Sequence, residues 1–286
     1  MLLLFRVLSW LPLRLLHGLG ALLGWLAYGV SASYRANLNA HAALAGISSG
    51  QRHASVAQAG CMVAELPRLW FGPPVPVHWD GLAAIEAAHA AGRGLLFLTP
   101  HLGCFEITAQ AYAARFGQAH GPITVLYRPA RKAWLAPLIE HARQRSGLAT
   151  APTTLAGVRQ LLRALRAGRA VGLLPDQVPP AGQGVWAPFF GREAYTMTLA
   201  ARLACQTGCT VLLAWGERLP AGRGYRVHLR PLLADLAQPE PAATGQINAA
   251  MESLIRERPQ QYLWGYARWK LPAEAPAEAA FGPGKR

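Results

Sequence analysis

The sequence predicts an α/β fold: a mostly parallel central sheet flanked by helices, preceded by an apolar, membrane-associated helix. Three observations carry this. Short apolar runs of strand character alternate with segments of helical periodicity through the middle of the chain, as in a parallel sheet with crossover helices. The first thirty residues, MLLLFRVLSWLPLRLLHGLGALLGWLAYGV, are almost continuously apolar. At 286 residues and 52% hydrophobic composition, the chain can bury one sizeable core. The expected organisation is a membrane-associated helix over 1–32, a single α/β domain over 33–270, and a Pro- and Ala-rich tail over 271–286 that is expected to stay mobile.

A cleaved signal peptide carries its charge before a short apolar core. Here Leu2 to Phe5 precede the first arginine and apolar residues continue to Val30, so cleavage is not expected. Leu15 to Tyr34 contains no Arg, Lys, Asp or Glu, long enough to span a bilayer at ~1.5 Å per residue, although it includes His17 and several glycines. At ~100° steps, Arg6, Ser9, Arg14, His17, Gly20, Gly24 and Tyr28 share an arc of roughly 140°, with Leu13 as an apolar exception in it, opposite Leu11, Leu15, Leu19, Leu22 and Leu26. That pattern favours a helix lying in the membrane surface, with spanning and packing on the domain as the alternatives. Pro12 marks a first turn or a kink, and Gly20 with Gly24 matches the G-x-x-x-G spacing that lets helices approach closely.

From Ser33 to Phe71 the periodicity is helical, and the Pro-rich FGPPVPVHWDG then interrupts it before a short helix over Leu82 to Ala90. Strands are expected at Gly94 to Thr99, Ile123 to Tyr127, Ala170 to Leu174, Thr210 to Trp215 and Tyr225 to Leu229. Helices are expected between the first four, at Phe105 to Phe116, Trp134 to Arg145, Leu155 to Ala167 and Thr196 to Gln206. The helix from Leu155 is the clearest: Leu155, Val158, Leu161, Leu162 and Leu165 share a face, Arg159, Arg163 and Arg166 lie off it, and Gly168 closes it. The last strand, after the loop RLPAGRG, is expected to form an antiparallel edge.

Lys+Arg number 28 against 14 Asp+Glu, a formal charge of +14, and lysine occurs only at Lys132, Lys270 and Lys285. An excess carried by arginine suits phosphate and carboxylate partners, such as anionic headgroups or an acidic carrier protein. No nucleic-acid partner is expected, because no binding motif occurs and the arginines are spread along the chain instead of forming a stripe beside stacking aromatics. The four cysteines, Cys61, Cys104, Cys205 and Cys209, lack C-x-x-C spacing and scaffold density, which fits a reducing compartment. No His or Cys cluster has metal-ligand spacing, so no metal is expected.

Three polar clusters follow three predicted strands: His101 after the first, Arg128 in YRP after the second, and Asp176-Gln177 in LLPDQ after the third. Open α/β sheets bind ligands at the carboxyl ends of their strands, so these independent loops are expected to converge on one crevice. His101 and Glu106, in HLGCFE, would be about 140° apart on an uninterrupted helix. If Pro100 to Gly103 turns from strand into helix, the imidazole folds back over the helix start and Glu106 reaches it. A carboxylate there fixes the ring tautomer and makes His101 a better base toward a substrate hydroxyl; a structural histidine at the strand end is the alternative.

HLGCFE, together with the apolar N-terminal helix, YRP, LLPDQ, FFGREAYT and PQQYLWGYARWK, resembles the lipid A biosynthesis acyltransferase family. These late lauroyl/myristoyl transferases belong to the wider glycerolipid acyltransferase group, whose shared motif is a histidine, four residues and an acid. The resemblance implies a glycerolipid acyltransferase-like fold at the cytoplasmic face of the inner membrane. It implies transfer of a fatty acyl group from acyl carrier protein to a hydroxyl of a phosphorylated glycolipid, with no cofactor and no covalent acyl-enzyme. His101 is then the base and Glu106 its orienting and charge-stabilising partner. Arg128 and Arg192 are candidates for acceptor phosphates or the developing oxyanion, and Asp176 and Gln177 shape that pocket. Near the end of the chain Tyr266 and Ala267 replace the family's usual His and first Arg, leaving Arg268 as a substrate-binding candidate, and Phe105 stands where a tryptophan is usual. A lysophospholipid or ornithine-type lipid is the alternative acceptor.

Two local patterns are expected to be decoys. GISSG, Gly46 to Gly50, matches a nucleophile elbow, but no buried strand precedes Ser48. Cys104, inside the HLGCFE segment, reads as a small side chain facing the sheet. Tyr262, Trp264 and Trp269 fit either an acyl surface or core packing.

Overall fold

The computed structural model describes residues 2–127 and 145–273. Five consecutive helices come first: α1 (Leu2–Ser9), α2 (Leu13–Val30), α3 (Ala32–Leu44), α4 (Ser49–Ala64) and α5 (Leu66–Phe71). The α/β part follows as β1 (Val77–Asp80), α6 (Leu82–Ala90), β2 (Leu95–Leu98), α7 (Phe105–His120), β3 (Ile123–Tyr127), β4 (Leu148–Pro152), α8 (Leu155–Arg166) and β5 (Ala170–Leu173). A hairpin of β6 (Gly184–Phe189) and β7 (Arg192–Met197) leads to α9 (Leu199–Thr207), β8 (Thr210–Arg218), β9 (Tyr225–Pro231) and α10 (Glu240–Glu257).

The seven-stranded sheet has the order β1-β9-β8-β2-β5-β3-β4, and only the β8–β9 pairing is antiparallel. The expected mostly parallel α/β fold is therefore what forms. On one side, Leu161 and Leu165 of α8, Leu203 of α9 and Ile247 and Met251 of α10 pack on Leu96, Leu98, Val171 and Leu173. On the other, Ile85 of α6 and Ile107, Tyr112 and Phe116 of α7 pack on Leu95, Phe97 and Ala170. Of the apolar stripe of α8, Leu161 and Leu165 are core, whereas Leu155, Val158 and Leu162 line a cavity and Leu155 is exposed; Arg159, Arg163 and Arg166 lie outside, and Thr154 caps the helix by accepting from the Gly157 N–H.

Two expectations need correction, and one strand is new. β9 pairs antiparallel with β8 but is not the edge, because VHWD of the Pro-rich stretch forms β1 parallel to its other side. LATAP forms the edge strand β4, which tolerates Pro152 because an edge leaves backbone N–H groups unneeded. The helix expected from Thr196 starts at Leu199, because FFGREAYT is spent on a hairpin with positive φ at Phe190 (48°) and Gly191 (74°), the two-residue turn whose twist matches its strands. The Phe190 N–H donates to Glu252 Oε1 at 2.7 Å, and its ring packs on Phe189 and Trp264. The helix expected over Trp134 to Arg145 lies outside the described residues except for Arg145.

The N-terminal helices position a surface. A helix lying in a membrane surface by itself would turn its polar arc to water, but Gly20 and Gly24 are buried while Leu15, Leu19, Leu22 and Leu26 face outward. The G-x-x-x-G pair works within the chain: a Cβ at Gly20, Gly24 or Gly60 would strike the facing backbone, so α2 and α4 touch closely. By length and composition α2 could cross a membrane. Both of its ends are nevertheless fastened to the same domain. His17 is held near its start by Glu65 (3.2 Å), and Tyr28 near its end donates to Asn39 of α3 (3.1 Å).

Candidate active site

β2 and β5 are adjacent, with Leu98 paired to Leu173, and the Thr99 N–H continues the ladder to the Leu173 carbonyl at 3.0 Å. Both chains then leave the sheet at the same level, which brings the segments that follow them together. Asp176, buried at 1% exposure, accepts the His101 backbone N–H on Oδ2 (2.8 Å) and the ring on Oδ1 (Nδ1 to Oδ1 2.7 Å). With Nδ1–H donating to a carboxylate, Nε2 is the acceptor nitrogen, and the Gln177 amide donates to it at 3.0 Å. Burial pushes the Asp176 carboxyl up, but the His101 ring and N–H and the nearby Arg268 outweigh it and hold the group below its ordinary value.

The HLGCFE turn is braced from behind. Gly103 has φ 60°, and a Cβ there would strike the Gly216 carbonyl of β8, so only glycine fits this crossing. The Gly103 N–H donates to the Gln261 carbonyl (2.9 Å) and the Cys104 N–H to the Gly216 carbonyl (2.8 Å). PQQYLWGYARWK is the brace: the Leu263 N–H donates to the His101 carbonyl (3.1 Å), and the Tyr266 hydroxyl accepts the Val178 N–H (3.0 Å) beside Gln177. Tyr262 and Trp264 are buried in the core, as one of the two expected readings had it.

Beneath this lies a charge cluster that sequence patterns did not single out. Arg218 grips Glu65 with both arms of its guanidinium (2.8 and 2.7 Å) and donates to Gln58 (2.6 Å) and to the Gly103 carbonyl (3.1 Å). Tyr225 and His17 complete the shell around Glu65. Burial alone would raise the Glu65 carboxyl, yet Arg218 and His17 bring it down to about 2. The pair is 153 residues apart in sequence, so no local spacing reveals it.

A cavity of about 590 Å³ opens beside His101, lined by Phe105, Glu106, Gln177 and Pro179 and also by Phe97, Val125 and Gly172 on the α7 side of the sheet and Leu162 of α8. The Phe105 ring centre stands 5.1 Å from that of His101.

The predicted site residues separate accordingly. His101, Glu106 and Gln177 share the cavity. Glu106 sits in the first turn of α7, but the ring nitrogens of His101 engage Asp176 and Gln177, so Asp176 occupies the place expected of Glu106. Arg268 is 2% exposed and donates to the Tyr195 carbonyl (2.7 Å) and Thr196 Oγ1 (2.5 Å), holding β7 rather than facing a substrate. Arg192 is exposed at the hairpin turn and is not part of the cavity wall. Arg128 lies outside the described residues. Ser48 caps α4 in a reciprocal box with Gln51, so GISSG starts a helix. Cys104 is buried and its thiol is pushed well up by burial, against a role as nucleophile.

The sequence profile of bacterial lipid A biosynthesis acyltransferases matches residues 1–271. The chain belongs to that family. It is 26% identical over 216 residues to the lipid A biosynthesis palmitoleoyltransferase of Escherichia coli (strain K12), covering 74% of this chain and 68% of that one. The lauroyltransferase of the same strain is 27% identical over 75% of this chain and 70% of its own, and the myristoyltransferase 26% over 74% and 64%. Membership makes this an acyltransferase of lipid A biosynthesis.

Proposed function

We propose that this acyltransferase moves a fatty acyl chain from an acyl carrier protein thioester to a hydroxyl of a phosphorylated lipid A precursor, with His101 as general base. The observation that carries this is the Asp176–His101–Gln177 chain of hydrogen bonds at the mouth of an apolar cavity. The acceptor hydroxyl takes Gln177's place at Nε2 and gives up its proton there as its oxygen attacks the thioester carbon. Asp176 holds the tautomer and stabilises the imidazolium that forms, and Glu106, on the same cavity, adds negative charge as the ring protonates. The displaced Gln177 amide donates to the developing oxyanion. The C–O bond forms, the C–S bond breaks, and the imidazolium proton passes to the departing thiolate, so no covalent acyl-enzyme and no cofactor is needed.

The outward faces of α1 and α2 seat the enzyme on the inner membrane. Because both ends of α2 are fastened to the domain, we read it as lying in the membrane surface, with the site on the cytoplasmic face where a carrier-bound donor is available.

Lipid mass spectrometry tests this reading in cells lacking their own late acyltransferases and expressing the wild type or His101→Ala at matched levels. A one-acyl mass gain on lipid A with the wild type alone is expected. A histidine-dependent gain on a lysophospholipid or ornithine-type lipid instead would replace the acceptor. Equal gains with both proteins would remove His101 from the chemistry.

A further inference from the structure

A glycine inside a buried strand adds no apolar contact and loses more backbone freedom on folding than any other residue, so its presence asks for a reason. Near the site the reason is usually a close backbone approach. A Cβ at Gly94 would strike the Leu165 backbone, one at Gly157 the Pro152 carbonyl, and one at Gly216 the Cys104 carbonyl. Gly172, in the buried strand β5, is different. Its φ lies outside the left-handed range, and a Cβ there would meet only two side-chain methyls within 4 Å, Val125 Cγ1 at 3.2 Å and Ile123 Cδ1 at 3.8 Å.

Both methyls belong to residues that line the cavity. Gly172 is in register with Phe97 on β2 and Val125 on β3, so its missing side chain leaves a gap between an aromatic and a β-branched residue on the α7 side of the sheet. All three line the cavity that opens at His101, as do Thr108 and Ala109 of α7. Gly172 is four residues before Asp176, at most ~13 Å at ~3.3 Å per extended residue. An extended acyl chain advances ~1.3 Å per carbon for C–C bonds of ~1.5 Å, so the stretch from Asp176 to this gap is at most about ten carbons long.

We propose that Gly172 determines the acyl chain length this enzyme accepts, by leaving open the space between Phe97 and Val125 through which carbons beyond about the tenth pass. The inference rests on the acyl-transfer reading above and adds a residue to it. Filling the gap closes the channel to longer chains first, because an unaccommodated methylene costs ~10-fold or more in transfer, while chains that end short of the gap are untouched.

The test is a competition. The wild type, Gly172→Ala, Gly172→Val and Leu203→Phe, which alters the α9 wall of the same cavity, each receive an equimolar mixture of saturated acyl carrier protein thioesters of 8 to 16 carbons with a lipid A precursor. Product lengths are read by mass spectrometry, and thermal melting confirms that each variant is folded. The ratio of products with ten or fewer carbons to longer ones is expected to rise ~10-fold or more with valine and less with alanine. An unchanged length profile in folded Gly172→Val overturns the inference, as does a shift seen only with Leu203→Phe. Should valine not fold, alanine decides by the same criterion. No transfer by the wild type from any donor would instead sink the acyl-transfer reading and this inference with it, whereas transfer with unchanged lengths sinks this inference alone.

Discussion

His101 and Asp176 are 75 residues apart in sequence and 2.7 Å apart at the carboxyl edge of the sheet. Each lies three residues beyond a member of the Leu98–Leu173 pair, so the register of two neighbouring parallel strands sets the distance between ring and carboxylate. Rigid strands fix such a site more closely than loops can.

Asp176→Asn keeps the shape of the side chain and removes the charge that matches the imidazolium. The turnover number is expected to fall by about 10²- to 10⁴-fold with little change in KM, and the His101→Ala/Asp176→Asn double variant to be no worse than His101→Ala. Steady-state kinetics with an acyl thioester and a lipid A precursor check this. Full turnover in Asp176→Asn would remove the carboxylate from the base.

The Glu65–Arg218 pair is buried and braces the Gly103 carbonyl. Arg218→Met alone strands a carboxylate in the core and is expected to cost about 3–5 kcal/mol, while Glu65→Leu with Arg218→Met recovers most of it. Denaturant unfolding of the three proteins measures the difference. A double variant as unstable as Arg218→Met would refute the assignment.

The same pair gives an acid dependence. The folded Glu65 carboxyl sits at about 2, below its ordinary value of 4.5, so its contribution is fully present above about pH 4.5 and is lost as pH falls toward 2. Glu65→Gln is expected to be less stable than the wild type at neutral pH and to lose less stability across that acid window. Parallel wild-type and variant curves of melting temperature against pH would count against it.

Arg268 is expected to act on stability instead of acceptor affinity. Arg268→Met removes the guanidinium from the Tyr195 carbonyl and Thr196, both inside the hairpin, and should lower the melting temperature while KM for the acceptor holds. A raised KM with an unchanged melting temperature would return Arg268 to the substrate.

Leu19→Asp combined with Leu22→Asp changes only outward-facing positions of α2. Folding should survive and co-flotation with vesicles of anionic phospholipid should be lost, whereas Gly60→Leu should destabilise the protein by prising α2 from α4. Undiminished flotation of the aspartate variant would place the membrane contact elsewhere.

Much of this protein was legible in its sequence. Period-2 and period-3.6 apolar patterns gave β2, α7, β3, α8, β5 and β8, and His101 and Asp176-Gln177 at two strand ends marked the crevice, because hydrophobic periodicity and strand-end chemistry are local properties. VHWD and LATAP escaped because their strand character comes from their partners, β9 and β3, and not from their own composition.

The tertiary structure decided the rest. That Asp176 and not Glu106 holds the His101 ring depends on β5 lying beside β2, a strand order that is not sequential and has no signature in any window of residues. That Arg268 is buried, that Glu65 finds Arg218, and that the glycine arc of α2 faces inward each depend on which surface covers which. Such contacts join residues tens to hundreds of positions apart, and the energy of a contact belongs to the pair. A linear sequence specifies the propensities of single residues and their near neighbours, and the fold chooses the partners.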